Sequence, residues 1–316
     1  MKTVLALLLA AVSSLAFSQT YPTKPVRLII PFPPGGSNDV VGRAIGQQLA
    51  ERLGQGVVID NRGGAGSVIG TNEAAKAAPD GYTLLLISTA FPTTIAFNRL
   101  PPDAMKSFAP VAMLGSGPAL LVVPAGSPAN SVADLLSALR QKPGELNAAA
   151  AGIGSFQHMA TELFRLQSKA SFVIVQYKGG GPALTDTIGG QVQFNLGSLV
   201  QMVPHVRSGK LKALGVSSAK RVPAMPEVPT IAEAGVPGYE VSNWWGILAP
   251  AGTPQPALER LYKEIGAILD SPETRKRFEL EGADVVRMKP AEFTAFVAQE
   301  TEKWTRVVKE AGIKPE

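Results

Sequence analysis

The chain has 316 residues, 45% hydrophobic and 17% charged, with 30 Lys and Arg against 25 Asp and Glu for a net charge of +5; this is a globular composition, sufficient for one large or two moderate domains, and it excludes disordered and fibrous classes. It contains no Cys, which removes thiolate nucleophiles, Cys-ligated zinc, iron-sulfur clusters and disulfides from consideration. The basic residues are scattered rather than interleaved with stacking aromatics, so no nucleic-acid surface is expected.

Residues 1–18 read as a secretory signal. Lys2 supplies the positive start, "VLALLLAAV" the apolar core, and Ala16 and Ser18 the small residues before a cut that would leave Gln19 first. No Cys stands at that cut, so a lipid-anchored N-terminus is not expected. Beyond it no long apolar run recurs; the expectation is a soluble protein of the periplasm.

"VRLIIPF" at 26–32 is a buried-strand signal, followed by "PPGGSN" and by "DVVGRAIGQQLAERLG", whose apolar residues recur at helical spacing. "GVVIDNR" predicts a second strand, "GSVIGTNEAAKAAPDG" a helix ended by Pro79-Asp80-Gly81, and "YTLLLIST" a third strand. Apolar strands alternating with amphipathic helices predict an α/β layer with a mostly parallel sheet. After "RLPPD" and a strand at "ALLVVPAG" a second series begins: helix at "SVADLLSALRQKPG", weak strand at "LNAAAAG", helix at "SFQHMATELFRLQ", and strand at "SFVIVQYKG". It continues with a short helix at "GPALTDTIGG" and strands at "VQFNLGS" and "LKALGVSS". From about 239 the chain turns to "NWWGILAPAGTP", then "QPALERLYKEIGAILD", and ends on the amphipathic "PAEFTAFVAQETEKWTRVVKEAG".

The glycine loops carry the candidate chemistry. Gly35 and Gly36 permit a tight turn and close approach to the main chain, while Ser37, Asn38 or Asp39 could cap the next helix. Free amides at that helix start would attract a carboxylate or phosphate, and ordinary capping is the competing reading. No Gly-Lys-Ser or Gly-Lys-Thr follows, so this is not a nucleotide P-loop. Pro33 and Pro34 lack an amide hydrogen, which limits any anion cradle to the residues after them. "NRGGAGSVIG" repeats the strand-turn-helix pattern, and Ser88 and Thr89 stand at a strand end where open α/β sheets bind ligands. In the second series Gly154 and Ser155 stand at a helix start with His158 one turn on, and Tyr177, Lys178 and Gly179 lie between a strand and a helix.

A catalytic reading finds little support. "GIGSF" is not the Gly-x-Ser-x-Gly elbow, and His158 and His205 belong to no paired metal-ligand motif. A hydrolase using Ser155 with His158 or an acidic residue remains the alternative of a different class. No enzyme activity, metal or cofactor is expected.

The ordered set "YPTKPVRLIIPFPPGGSNDVVGRAIGQQL", "VVIDNRGGAGSVIG", "APDGYTLLL", "GSFQHMATELF", "VQYKGGGPALTDTIGGQV", "LKALGVSSAKRVPAMPEVPTIAEAGVPGYE" and "WWGILAPAGTP" spans nearly the whole chain after residue 18. It resembles the Bug-type (TctC family) periplasmic solute-binding receptors of tripartite tricarboxylate transporters. The resemblance implies a type II-like periplasmic binding protein: two α/β domains, residues 19–124 with 240–316 and residues 125–239, joined by a hinge around a central ligand cleft. It implies ligand loops at Phe32, Pro34, Gly35, Gly36, Ser37, Asn38 and Asp39, at Ser88 and Thr89, at Gly154, Ser155 and His158, and at Tyr177, Lys178 and Gly179, with Asn195 lining the second domain. It further implies a small organic carboxylate held by amides and water, a monomer, and large and small membrane permease subunits as partners; a binding module coupled to signalling is the nearer alternative. Two departures stand out: Gly63 where related sequences often have Pro, and Gln193 where an acidic residue is common.

Overall fold

The computed structural model describes residues 21–310 and 312–313. The leader expected at residues 1–18 lies outside the described residues.

Two sheets share one strand. In the first, β1 (Val26–Ile30) runs parallel to β2 (Val57–Asn61) and β3 (Thr83–Ser88). Their residues are apolar without alternation because both faces are covered: Val26, Leu28 and Ile30 join one buried cluster and Ile29 another. The helices α1 (Ser37–Leu53), α2 (Val68–Ala75) and α3 (Ala90–Ala96) follow the strands in turn. Each strand therefore ends, and each helix begins, along one edge of the sheet.

The shared strand is β4 (Phe108–Pro124). From Phe108 to Pro118 it pairs with β9 (Ser242–Pro250), and from Ala119 onward it changes partners to β7 (Phe194–Ser198) and β8 (Leu211–Val216). The rest of the second half alternates as before: α4 (Val132–Gln141), β5 (Asn147–Ala150), α5 (Phe156–Ser168), β6 (Val173–Gln176), α6 (Gly180–Ile188), β7, α7 (Leu199–Arg207) and β8. The resulting orders are β2-β1-β3-β9-β4 and β6-β5-β7-β4-β8. In both, the fourth strand is antiparallel to its neighbours and comes from the other passage of the chain. Ser217 ties the two crossings together, accepting from the Ala119 amide at 2.7 Å and donating to the Val241 carbonyl at 2.5 Å.

The C-terminal segment contains α8 (Gln255–Asp270), α9 (Pro272–Leu280), β10 (Asp284–Val285) and α10 (Pro290–Glu310). The helix α10 belongs to both halves. Phe293 and Val297 pack with Ile29, Phe91 and Trp244 of the first half, whereas Trp304 joins the second-half cluster of Leu121, Phe156, Phe164 and Tyr239. Glu300 stands between these anchors, accepting from both Trp244 Nε1 and Trp304 Nε1 at 3.1 Å. The second sequence series thus folds around a core that is completed by the last helix.

Candidate ligand-binding site

Where the halves meet lies a cavity with about 380 Å³ of empty space, part of it open to solvent. Its wall consists largely of strand ends and helix starts, as the two sheet topologies require. The first half contributes Phe32, Gly36, Ser37 and Asn38 around the start of α1, Ser88 and Ala90 at the β3-α3 junction, and Asn243 on β9. The second contributes Ala151 after β5, Ser155, Phe156 and Gln157 at the start of α5, Gly180 at the start of α6, and Ser198 and Gln201 at the start of α7. Among the described residues of this wall none is acidic or basic.

Backbone dipoles therefore supply its field. Gly36 is extended and gives α1 no side-chain cap; its carbonyl already holds the Asp39 and Val40 amides, at 3.0 Å each. The Ser37 and Asn38 amides have no carbonyl one turn behind them, and both residues line the cavity. The starts of α5, α6 and α7 open on the same space, so several partial positive charges converge without a cation. Such a cavity suits an anion that hydrogen-bonds to amides and is small enough to be enclosed by both halves.

The glycines allow that enclosure. Gly35 has φ +83°, a conformation that favours glycine. A Cβ on Gly36 would stand 3.6 Å from the Gly180 amide nitrogen, and one on Gly181 would overlap the Pro34 carbonyl oxygen. Backbone meets backbone across the cleft.

Of the residues expected at the ligand, Phe32, Gly36, Ser37, Asn38, Ser88 and Ser155 lie in the cavity wall. The others stand around it. Pro34, Gly35 and Gly179 form the contact between the halves, with Pro33 Cδ where a Gly179 side chain would have to go. Asp39 turns away to fasten its loop, accepting from the Gly35 amide at 3.0 Å, Arg43 at 2.9 Å and Asn61 at 3.0 Å. Burial alone would raise its pKa, but these hydrogen bonds and the Arg43 charge hold the carboxyl below its ordinary value. Thr89 immediately precedes α3 and Gly154 accepts from Thr93, closing the seam beside the cavity. Tyr177 donates to Asp186 at 2.8 Å, and Lys178 is exposed. Asn195 sits one layer behind Gln157, accepting from its amide nitrogen at 3.2 Å.

The pair Ser155 and His158 does not form a catalytic dyad. Ser155 Oγ accepts from the His158 backbone amide at 3.1 Å as a helix cap, while the imidazole Nδ1 accepts from the Gly154 amide at 3.3 Å and the ring packs against Phe97. Burial, aided by the charges of Arg165 and Arg99, lowers the His158 pKa to about 4. Its ordinary value is 6.5, so on acidification the unfolded chain takes up the proton first. Stability should consequently fall as pH drops from about 6.5 toward 4, by roughly 3 kcal/mol from this group at the lower limit. Urea denaturation across that range should show a shallower decline for His158→Gln than for the wild type; parallel declines would refute the assignment.

Gln157, Ser198, Gln201 and Asn243 were not legible as site residues. A strand followed by Ser198 and a helical turn was the available signal for α7, but Pro204 within that helix obscured it. Gln193, where the resemblance expects an acid, accepts from the Asn147 amide at 2.8 Å and does not line the cavity.

Comparison with known proteins agrees with this architecture. Residues 41–313 match the model of the tripartite tricarboxylate transporter family receptor. Protein BugT of Bordetella pertussis is 38% identical over 96% of this chain and 94% of its own. Among solved structures, R. palustris Rpa4515 with adipate is 37% identical with a TM-score of 0.89, covering 94% of this chain and 100% of its own. MatC (Rpa3494) from Rhodopseudomonas palustris with bound malate is 34% identical with a TM-score of 0.85, over 91% and 100% respectively. The α/β halves with their exchanged antiparallel strands form a type II periplasmic binding protein fold, and the chain belongs to the tripartite tricarboxylate transporter receptor family, whose members bind solutes rather than transform them.

Proposed function

We propose that this receptor captures a small organic carboxylate in the periplasm, after removal of residues 1–18, and delivers it as a monomer to a permease of large and small membrane subunits. The carrying observation is the uncharged cavity on which the starts of α1, α5, α6 and α7 converge. A carboxylate there exchanges water for amide donors without needing a buried ion pair, whose desolvation is costly. The adipate and malate in the two related structures support this ligand class.

The two ligand-enclosing bodies are approximately residues 19–124 with 240–316 and residues 125–239, with β4 passing between them at Ala119 and α10 packed on both, and the crossings tied by Ser217 are the hinge. Ligand contacts from both bodies favour the closed arrangement, which gives the permease a surface distinct from that of the open one. Calorimetric titration with short mono- and dicarboxylates should find binding that weakens at least tenfold when the gripped carboxylate is replaced by its primary amide. Equal affinity for acid and amide would overturn the proposal.

A further inference from the structure

Gln157 lines the cavity, and the orientation of its side-chain amide is dictated from behind. The carbonyl of Ala183 can only accept, so the Thr187 hydroxyl, 2.7 Å away, commits its proton to it. Thr187 Oγ1 must then accept from Asn195 Nδ2 at 3.0 Å, which turns Asn195 Oδ1 toward Gln157. That oxygen takes the Gln157 amide nitrogen at 3.2 Å. Flipping the Gln157 amide would set two oxygens against each other. The remaining atom, Gln157 Oε1, is buried and has no hydrogen-bond partner among the described residues, on a cavity-lining residue that is only 4% exposed.

A carboxylate cannot satisfy this oxygen, because both are acceptors. A donor meets it, either an ordered water or a group on the ligand itself. Among donors, a hydroxyl fits better than an ammonium, since the wall contains no acidic side chain to balance a desolvated positive charge. We propose that Gln157 is a specificity-determining residue that selects a hydroxyl on the ligand, making the solute a hydroxy-substituted carboxylic acid. This rests on the carboxylate reading above: the helix starts hold the acid group, and Gln157 distinguishes hydroxy acids from their deoxy counterparts.

The test is a matched calorimetric panel on the full receptor: malate with succinate, 2-hydroxyglutarate with glutarate, 3-hydroxybutyrate with butyrate, and the methyl ether and amino counterpart of the hydroxy acid that binds best. The hydroxy member of that pair should bind roughly ten- to a hundredfold more tightly than its deoxy partner, the difference set by leaving a buried acceptor unmatched. The methyl ether, which keeps the oxygen and loses the donor, should bind no better than the deoxy acid. In Gln157→Leu the preference should collapse, the hydroxy acid losing more affinity than its deoxy partner, while thermal denaturation verifies folding. Asn195→Leu, which frees the Gln157 amide to turn, should narrow the preference as well. Equal binding of hydroxy and deoxy acids by the wild type, or tighter binding of the amino acid, overturns this inference and leaves the carboxylate reading intact. Failure of every acid in the panel to bind overturns both.

Discussion

Gly181→Ala is expected to weaken ligand binding thirty- to a hundredfold without destabilising the ligand-free protein. The added Cβ would overlap the Pro34 carbonyl oxygen, which lies on the opposite half, with Gly35 C at 3.5 Å beside it. Backbone on both sides cannot move aside as a flexible side chain would. Relief must come from separating the halves or shifting the loop that leads into α1, and either change withdraws amides from the cavity. A loss of about 2–3 kcal/mol in binding corresponds to that range of affinity. Within α6 itself alanine is the better helix former by roughly 0.5–1 kcal/mol, so the ligand-free melting temperature should hold or rise slightly. Calorimetry paired with thermal denaturation separates these effects. Unchanged affinity would mean that the contact between Pro34 and Gly181 does not limit closure.

Glu300→Leu is expected to remove about 2–5 kcal/mol of stability. Two buried indole N–H groups, Trp244 and Trp304, share its Oε2. A leucine matches neither, and each unmatched buried donor costs roughly 1–3 kcal/mol. Glu300→Gln retains an accepting oxygen and should lose much less. Lys303→Met removes the half-exposed partner of Oε1, 2.9 Å away, together with an ammonium 5.1 Å from the Trp304 ring centre, and should change stability by under about 1 kcal/mol. Denaturant titration followed by tryptophan fluorescence checks the order; equal losses for the three variants would show that the indoles do not depend on the carboxylate.

The contrast between Ser37 and Gln157 shows what a sequence can disclose about this site. Ser37 follows a strand and a double glycine, and that local pattern alone places amides at a sheet edge where ligands bind. Gln157 begins α5 near a comparable cap, yet its role depends on Asn195 and Thr187, which reach it through contacts between separate elements. Asp39, by contrast, is placed at the ligand by the family resemblance, but Arg43 and Asn61 engage it away from the cavity. The fold was legible where strands and helices alternate. The single strand β4 was not, because its 17 residues serve two sheets in succession and only tertiary pairing reveals where one service ends. Asn243 illustrates the same limit: it precedes two tryptophans on a buried strand, and strand periodicity does not identify which face opens on a ligand.

The anchoring of α10 also imposes an order on the birth of the molecule. Trp304 and Ile313 fill a core otherwise assembled by residues from Phe97 to Val241, so that core lacks its final pieces until α10 and the residues just after it have been made. Such distant contacts are costly to close and form slowly. The second half therefore cannot reach its finished packing while the ribosome still holds α10, and the cavity, which needs both halves, becomes competent only after that helix has emerged.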